Sequence, residues 1–245
     1  MFDLSGQTAL VTGASGGIGG AIARALHGQG AQVMVAGTRR NALSTLAAEL
    51  GERTHIGLAN LDDPAAADRL VKDAEAAMGR VDILVNNAGI TRDMLALRMD
   101  DESWRAVIEV NLTAAFRLTR MVLRGMVRRR HGRVIGVTSV VAITGNAGQA
   151  NYAAAKAAMI GMSKSIAAEI AGRQLLGAGA VRPATHGTLR RTALEERRHA
   201  LHQRNFHMHP VAGTGDDAAH LDGLRILMLD GRVLYVVDHQ IDDIG

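Results

Sequence analysis

Residues Thr8–Gly30 read TALVTGASGGIGGAIARALHGQG. The short apolar run Thr8–Val11 has the composition of a buried strand. It passes directly into TGASGGIG (12–19), with glycines at 13, 16, 17 and 19, and then into GAIARALHGQG, a helix closed by Gly28 or Gly30. A strand, a glycine turn and a helix N-terminus in succession form a phosphate cradle. The glycines let the backbone approach a pyrophosphate, whose charge meets free N–H groups and the positive end of the helix dipole.

Reading outward, Gln32–Ala36 is a second strand, followed by Gly37-Thr38-Arg39-Arg40. An acidic side chain at the end of this strand would hydrogen-bond an adenosine ribose 2′-OH and suit NAD. None is present. Arg39 and Arg40 instead suit a 2′-phosphate, which points to NADP(H). Asn41–Leu50 reads as a helix ending at Gly51, and Thr54–Leu58 as a third strand leading to Asn60-Leu61-Asp62. Asp63 as N-cap and Pro64 in the first turn open a helix that runs to Met78. Val81–Val85 is a continuous apolar strand leading into Asn86-Asn87-Ala88-Gly89. A long helix covers roughly Asp101–Arg129 with Asn111 inside it, and Val134–Val137 is a fifth strand ending at Thr138-Ser139. Strands alternating with helices predict a Rossmann-type doubly wound parallel sheet flanked by helices, with its ligand at the C-terminal edge of the strands.

The stretch SVVAITGNAGQANYAAAK (139–156) brings a hydroxyl, a phenol and an ammonium to that edge. Tyr152 and Lys156 are four residues apart in an Ala-rich run, so they share one helix face. An ammonium beside a phenol favours the phenolate, and the expectation is a Tyr152 pKa below the ordinary value of about 10. A tyrosine of that kind exchanges a proton with a substrate oxygen, and Ser139 can hydrogen-bond the same oxygen.

Composition narrows the classes. The chain has 245 residues, 47% hydrophobic but only 2% aromatic, so Ala, Val, Leu, Ile and Met fill the core. With no Cys there is neither a disulfide framework nor a thiolate metal site, which fits a reducing, cytoplasmic setting. The segment MFDLSGQ does not have a signal-peptide pattern, and no apolar stretch reaches about 18 residues, so no membrane span is expected. A net charge of +4 without interleaved aromatics argues against nucleic acid as a partner. His202, His207 and His209 have no carboxylate at ligand spacing, so no metal site is expected.

TGASGGIG (12–19), NNAG (86–89) and the ordered set Asn111, Ser139, Tyr152 and Lys156 resemble the classical short-chain dehydrogenase/reductase family over residues 1–172. GITRDMLALRM (89–99), VLRGMVRRRHGRVI (122–135) and GNAGQANYAAAK (145–156) resemble its 3-oxoacyl-[acyl-carrier-protein] reductases of fatty acid biosynthesis. The resemblance implies NADPH-dependent reduction of a 3-oxoacyl thioester on acyl carrier protein, in a homotetramer. It implies catalytic roles for Asn111, Ser139, Tyr152 and Lys156. Cofactor contacts would come from Gly13, Ser15, Gly16, Gly17, Ile18 and Gly19, from Thr38 and Arg39, from Asn60 and Leu61, from Asn87, Ala88 and Gly89, and from Tyr152 and Lys156. Ser139, Gln149 and Tyr152 would meet the substrate, Asn111 would anchor a water relay from Lys156, and Arg129, Arg130 and Arg173 would face the acidic carrier. Two rival readings are a short-chain dehydrogenase for another carbonyl, such as acetoacetyl-CoA, and a dinucleotide-binding protein with impaired catalysis.

The 245 residues are expected to form one domain, a family-like core over 1–172 followed by a divergent segment over 173–245. In RQLLGAGAVRPATHGT (173–188), Pro183 lies near the family's Pro-Gly, but no glycine follows it and the preceding Val-Asn is missing. Residues 172–245 carry seven of the ten His, nine Arg and no Lys. A shifted reading frame in GC-rich DNA and a genuinely divergent end both produce such a segment. Within it Thr188–Gln203 reads as a helix, and residues 224–229 and 232–238 flank Asp230-Gly231 as a hairpin.

Overall fold

The computed structural model describes residues 3–177, 224–229 and 232–241, with side chains described for 3–170. The helix expected over Thr188–Gln203, Pro183, the Asp230-Gly231 turn and the three clustered histidines lie outside the described residues.

Strands β1 (Thr8–Thr12), β2 (Gln32–Gly37), β3 (Thr54–Leu58), β4 (Ile83–Asn86) and β5 (Gly132–Val137) pair in parallel in the order β3-β2-β1-β4-β5. The edge next to β5 is extended by an antiparallel pair, β6 (Leu224–Leu229) and β7 (Arg232–Ile241), with β7 against β5. Met1–Ala171 and Ala218–Gly245 form one compact unit that contains this sheet. The pairing of β6 with β7 starts at Leu229↔Arg232, as the hairpin reading of 224–238 expects.

The central strands are apolar throughout because both sheet faces are covered. Successive side chains point to opposite faces, and the core divides accordingly. Leu10, Met34 and Leu84 pack beneath α3 (Ala66–Met78) and α5 (Ala114–Arg129), against Leu70, Val71, Leu118, Val122 and Met126. Val11, Val33, Val35 and Val85 face the other way, against Ala23 of α1 (Gly17–Gly28) and Leu43 and Leu46 of α2 (Arg40–Leu50). Most of these side chains have no exposed surface, and full burial of each contributes about 1.5–3 kcal/mol.

Three expectations shift. The long helix over 101–129 is broken into α4 (Asp101–Ile108), a π turn (Glu109–Thr113) and α5, with Asn111 at the centre of the π turn. Asp63 does not cap α3, because its carboxylate accepts from Ala65 N at 2.9 Å and closes a turn instead, and the helix starts at Ala66. The fourth strand begins at Ile83. Asp82, just before it, has a fully buried carboxylate that accepts from Thr8 N at 3.1 Å and pairs with Arg80 at 2.8 Å. The remaining helices are the short α6 (Val141–Thr144) and α7 (Ala150–Gly177).

The strand order reverses between β1 and β4. A crevice therefore opens where the connections leaving these two strands diverge, and ligands of such sheets bind there. Thr12 ends β1, Asn86 ends β4 and Val137 ends β5, so the glycine turn, Asn87–Gly89 and Ser139 share this edge.

Candidate active site

The glycine turn and the loop after β4 are built as one piece. Thr12 Oγ1 donates to Val85 O at 3.0 Å and accepts from Asn87 N at 3.0 Å and Ala88 N at 3.1 Å. Asn87 Nδ2 returns a bond to Thr12 O at 2.8 Å. This lock depends on the absence of side chains. Gly13 has φ +65°, and a Cβ there would lie 2.8 Å from Asn87 Nδ2, while one on Gly19 would lie 2.5 Å from both Asn87 Nδ2 and Gly13 O. Such contacts force the surrounding backbone to move.

A cleft of about 870 Å³ opens over this lock. Gly13, Ser15, Gly16, Gly17, Ile18 and Gly19 line it, with Thr38, Arg39, Asn60, Leu61, Asn87, Ala88 and Gly89. The cofactor residues expected from the sequence are thus brought together, apart from Tyr152 and Lys156. Gly16 caps the N-terminus of α1 with no side-chain cap, so the first N–H groups of α1 face the cleft without an internal acceptor. Arg39 caps α2 and its guanidinium donates to Ser15 O, lying across the turn. Arg40 is the first residue of α2 and does not line the cleft. A bare glycine turn, free helix N–H groups and a cation suit a phosphate-bearing dinucleotide.

Gly89 connects this cleft to the second group. A Cβ on it would lie 3.0 Å from Asn111 Oδ1 and 3.6 Å from Lys156 Nζ. Asn111 is fully buried, and its amide is bonded to Ile90 in both directions, accepting from N at 2.7 Å and donating to O at 2.9 Å. The Asn111 side chain is a clamp between the π turn and the segment after Gly89. Widening the helix by one residue at the π turn turns this amide towards Ile90.

Lys156 is 3% exposed. Its Nζ donates to Val137 O at 2.9 Å, and its own carbonyl accepts from Thr138 Oγ1 at 3.0 Å, so α7 is fastened to the end of β5. Burial lowers its pKa to about 8. The ammonium lies 5.7 Å from the centroid of the Tyr152 ring. The Ser139 hydroxyl lies near enough to the Tyr152 phenol to act on its protonation.

The expectation of a depressed tyrosine pKa is overturned. Burial raises the Tyr152 phenol above its ordinary value, the Asp93 carboxylate adds to the rise, and only the Ser139 hydroxyl works the other way. The spacing of Tyr152 and Lys156 is as expected, but Nζ is directed at Val137 O and lies against the ring face.

Two residues that the sequence does not single out hold this group in place. Asn151 is fully buried. Its Nδ2 donates to Arg92 O at 3.0 Å and its Oδ1 accepts from Tyr152 N at 2.7 Å. Asp93 binds Gln149, with Nε2 donating to Oδ2 at 2.9 Å. Asn151 immediately precedes the tyrosine, and that adjacency is its only signal in the sequence.

Arg129 and Arg130 are not brought to this edge. Arg129 donates to Val81 O at 3.0 Å and pairs with buried Asp82 at 3.6 Å, both before the start of β4. Arg130 caps α5 in a left-handed conformation at φ +53°, directly ahead of β5. Both therefore lie at the opposite sheet edge. Arg173 is in α7, where only the backbone is described. Among the described residues no group of three or more His, Asp or Glu could hold a metal ion, and no helix is long and apolar enough to cross a membrane.

The short chain dehydrogenase family profile matches residues 7–198. Nodulation protein G of Rhizobium sp. (strain N33) is 61% identical over 175 residues, 71% of each chain. The 3-oxoacyl-[acyl-carrier-protein] reductases FabG of Escherichia coli (strain K12) and Salmonella typhimurium (strain LT2) are 50% identical over 171 residues and 51% over 168, about 70% of each chain.

Proposed function

This chain belongs to the short chain dehydrogenase family, and from that premise we propose that it is an NADPH-dependent reductase of 3-oxoacyl thioesters carried on acyl carrier protein. The observation that carries the reading is the juxtaposition of the Ser139 hydroxyl, the Tyr152 phenol and the buried Lys156 ammonium, the last of them beside Gly89 of the cleft lining. A nicotinamide dinucleotide held by the glycine turn and Arg39 would supply the hydride that the 3-keto carbon takes up. Ser139 donates to the keto oxygen and orients it. Tyr152 gives its phenolic proton to that oxygen as negative charge develops there, so the carbonyl becomes a secondary alcohol. Lys156, beside the Tyr152 ring, stabilises the phenolate left behind and would hold the ribose hydroxyls of a bound dinucleotide. Asn111 holds Ile90, and with it Gly89, against Lys156, where a water relay to bulk begins. Gln149 borders the substrate on the far side of Tyr152.

Selection of NADPH falls to Arg39, with Thr38 beside it, because a guanidinium over the glycine turn meets a 2′-phosphate and no acid stands at the end of β2 to bind a 2′-hydroxyl. The proposed assembly is a homotetramer, and the proposed location is the cytoplasm. Arg129 and Arg130, at the far edge of the sheet, serve a carrier protein only where a second subunit presents its crevice beside them, so that part of the docking proposal stands with the tetramer.

NADPH oxidation with acetoacetyl-carrier protein and with acetoacetyl-CoA, run in parallel, tests the reading. The expected result is turnover with preference for the carrier-bound substrate, and a loss of about 10²–10⁴ in kcat for Tyr152→Phe with NADPH binding retained. Dinucleotide binding without turnover of any 3-oxoacyl thioester would overturn it.

A further inference from the structure

Asp93 lies in the loop after β4 and has no role in the steps above, yet it reaches the residues that do. Its Oδ2 accepts from Gln149 Nε2 at 2.9 Å. On either side of it, Met94 N donates to Gly148 O at 2.8 Å and Asn151 Nδ2 donates to Arg92 O at 3.0 Å. Three consecutive residues, 92–94, are thus stitched to the segment 148–151 that delivers Tyr152. Gln149 is fixed from both ends, since its Oε1 accepts from Asn146 Nδ2 at 3.1 Å. We propose that Asp93 is a positioning residue for the reduction, one that aims the Gln149 amide at the substrate and holds its carboxylate charge near Tyr152. This rests on the reductase reading of the site.

Two consequences follow from the chemistry. An amide nitrogen has two hydrogens, and with one given to Asp93 the other keeps a fixed direction for a substrate oxygen. The second consequence is electrostatic. The groups acting on Tyr152 are the Asp93 carboxylate from the loop after β4, Lys156 one turn along its own helix, and the neutral Ser139 hydroxyl from the end of β5. After burial itself, the Asp93 carboxylate is the other influence that keeps the phenol protonated. A protonated phenol is the form that donates to a developing alkoxide, and the Asp93 carboxylate extends that form to higher pH.

Two variants separate these effects. Asp93→Asn keeps an acceptor for Gln149 and removes the charge, while Asp93→Ala removes both. The chain has two tyrosines, so near-ultraviolet titration of the full-length protein, with Tyr152→Phe subtracting Tyr235, reads the Tyr152 phenol without added dinucleotide. The expected result is a Tyr152 midpoint moved to lower pH in both variants. KM for acetoacetyl-carrier protein should rise about tenfold in Asp93→Ala and stay within about twofold in Asp93→Asn. An unmoved midpoint in Asp93→Asn overturns the electrostatic role, and an unchanged KM in Asp93→Ala overturns the positioning role. Asp93 is exposed, and an unchanged NADPH dissociation constant in both variants reports an intact fold. If the wild-type chain does not reduce 3-oxoacyl thioesters, the titration still decides the role of Asp93, and the reductase reading is what fails.

Discussion

Lys156 Nζ donates to the carbonyl oxygen of Val137 at 2.9 Å, which pins the ammonium of α7 to the strand that delivers Ser139. A single main-chain dipole compensates only part of the cost of burying a charge, and the Lys156 pKa falls from 10.5 to about 8. The proposed reduction needs the charge at this position, and folding is opposed by it.

The pH dependence of stability follows from that shift. Below about pH 8 both the folded and the unfolded state hold the proton, and the full penalty of the buried charge is present. Between about pH 8 and 10.5 the folded state releases its proton while the unfolded state keeps it, so this residue's contribution to stability rises with pH. The shift corresponds to about 3 kcal/mol. Urea unfolding at about pH 7 and about pH 10, wild type against Lys156→Met, should show the wild type gaining on the variant at the higher pH. A pH-independent difference would contradict the assignment.

The glycine lock gives a second expectation. A Cβ on Gly19 would lie 2.5 Å from Gly13 O and from Asn87 Nδ2, and both are held by the bonds that join the turn to the loop after β4. Gly19→Ala should lower stability by about 1–3 kcal/mol and weaken NADPH binding, because relief of the clash opens the cradle. Thermal unfolding and fluorescence titration of NADPH check the two effects. Gly28→Ala is the control, since a Cβ there meets nothing within 4 Å and the residue does not line the cleft.

The cradle and the Ser139, Tyr152 and Lys156 set are legible in the sequence because each depends on short-range spacing along one strand–turn–helix or one helix face. The π turn at Glu109–Thr113 is not legible. It adds one residue to a helical turn inside an apolar pattern that reads as one continuous helix, and only the partner of Asn111, which lies 21 residues away, reveals it. The direction of the Tyr152 shift was hidden for a similar reason. Spacing gives the neighbour but not the burial, and burial dominates. Asp63 misleads because the same side chain suits a helix cap and a turn equally well. Arg129 has the composition of a docking patch, but it is engaged by Asp82, which the chain order does not place beside it.

Asn111 offers a test of the clamp. Asn111→Asp keeps an acceptor for Ile90 N but faces Ile90 O with a carboxylate oxygen instead of a donor. The loss should be about 1–3 kcal/mol of stability, with kcat falling more than NADPH affinity because Gly89 is displaced from Lys156. Calorimetry beside steady-state kinetics separates the two. A variant with normal stability and normal kcat would remove the clamp from the mechanism.

Arg39 is the residue proposed to select the cofactor. Its guanidinium lies over the turn through Ser15 O, and no acid occupies the end of β2 to bind a ribose hydroxyl. A charge-assisted bond to a phosphate contributes about 1.5–3 kcal/mol, so Arg39→Ala should weaken NADPH binding by about 10–100-fold. NADH, which lacks the 2′-phosphate, should bind wild type and variant alike. The NADPH loss should shrink as salt is raised, since an exposed ion pair is screened. Fluorescence titration of both dinucleotides at low and high salt reads all three outcomes, and an equal loss for NADH and NADPH would transfer the role of Arg39 from phosphate recognition to bracing of the turn.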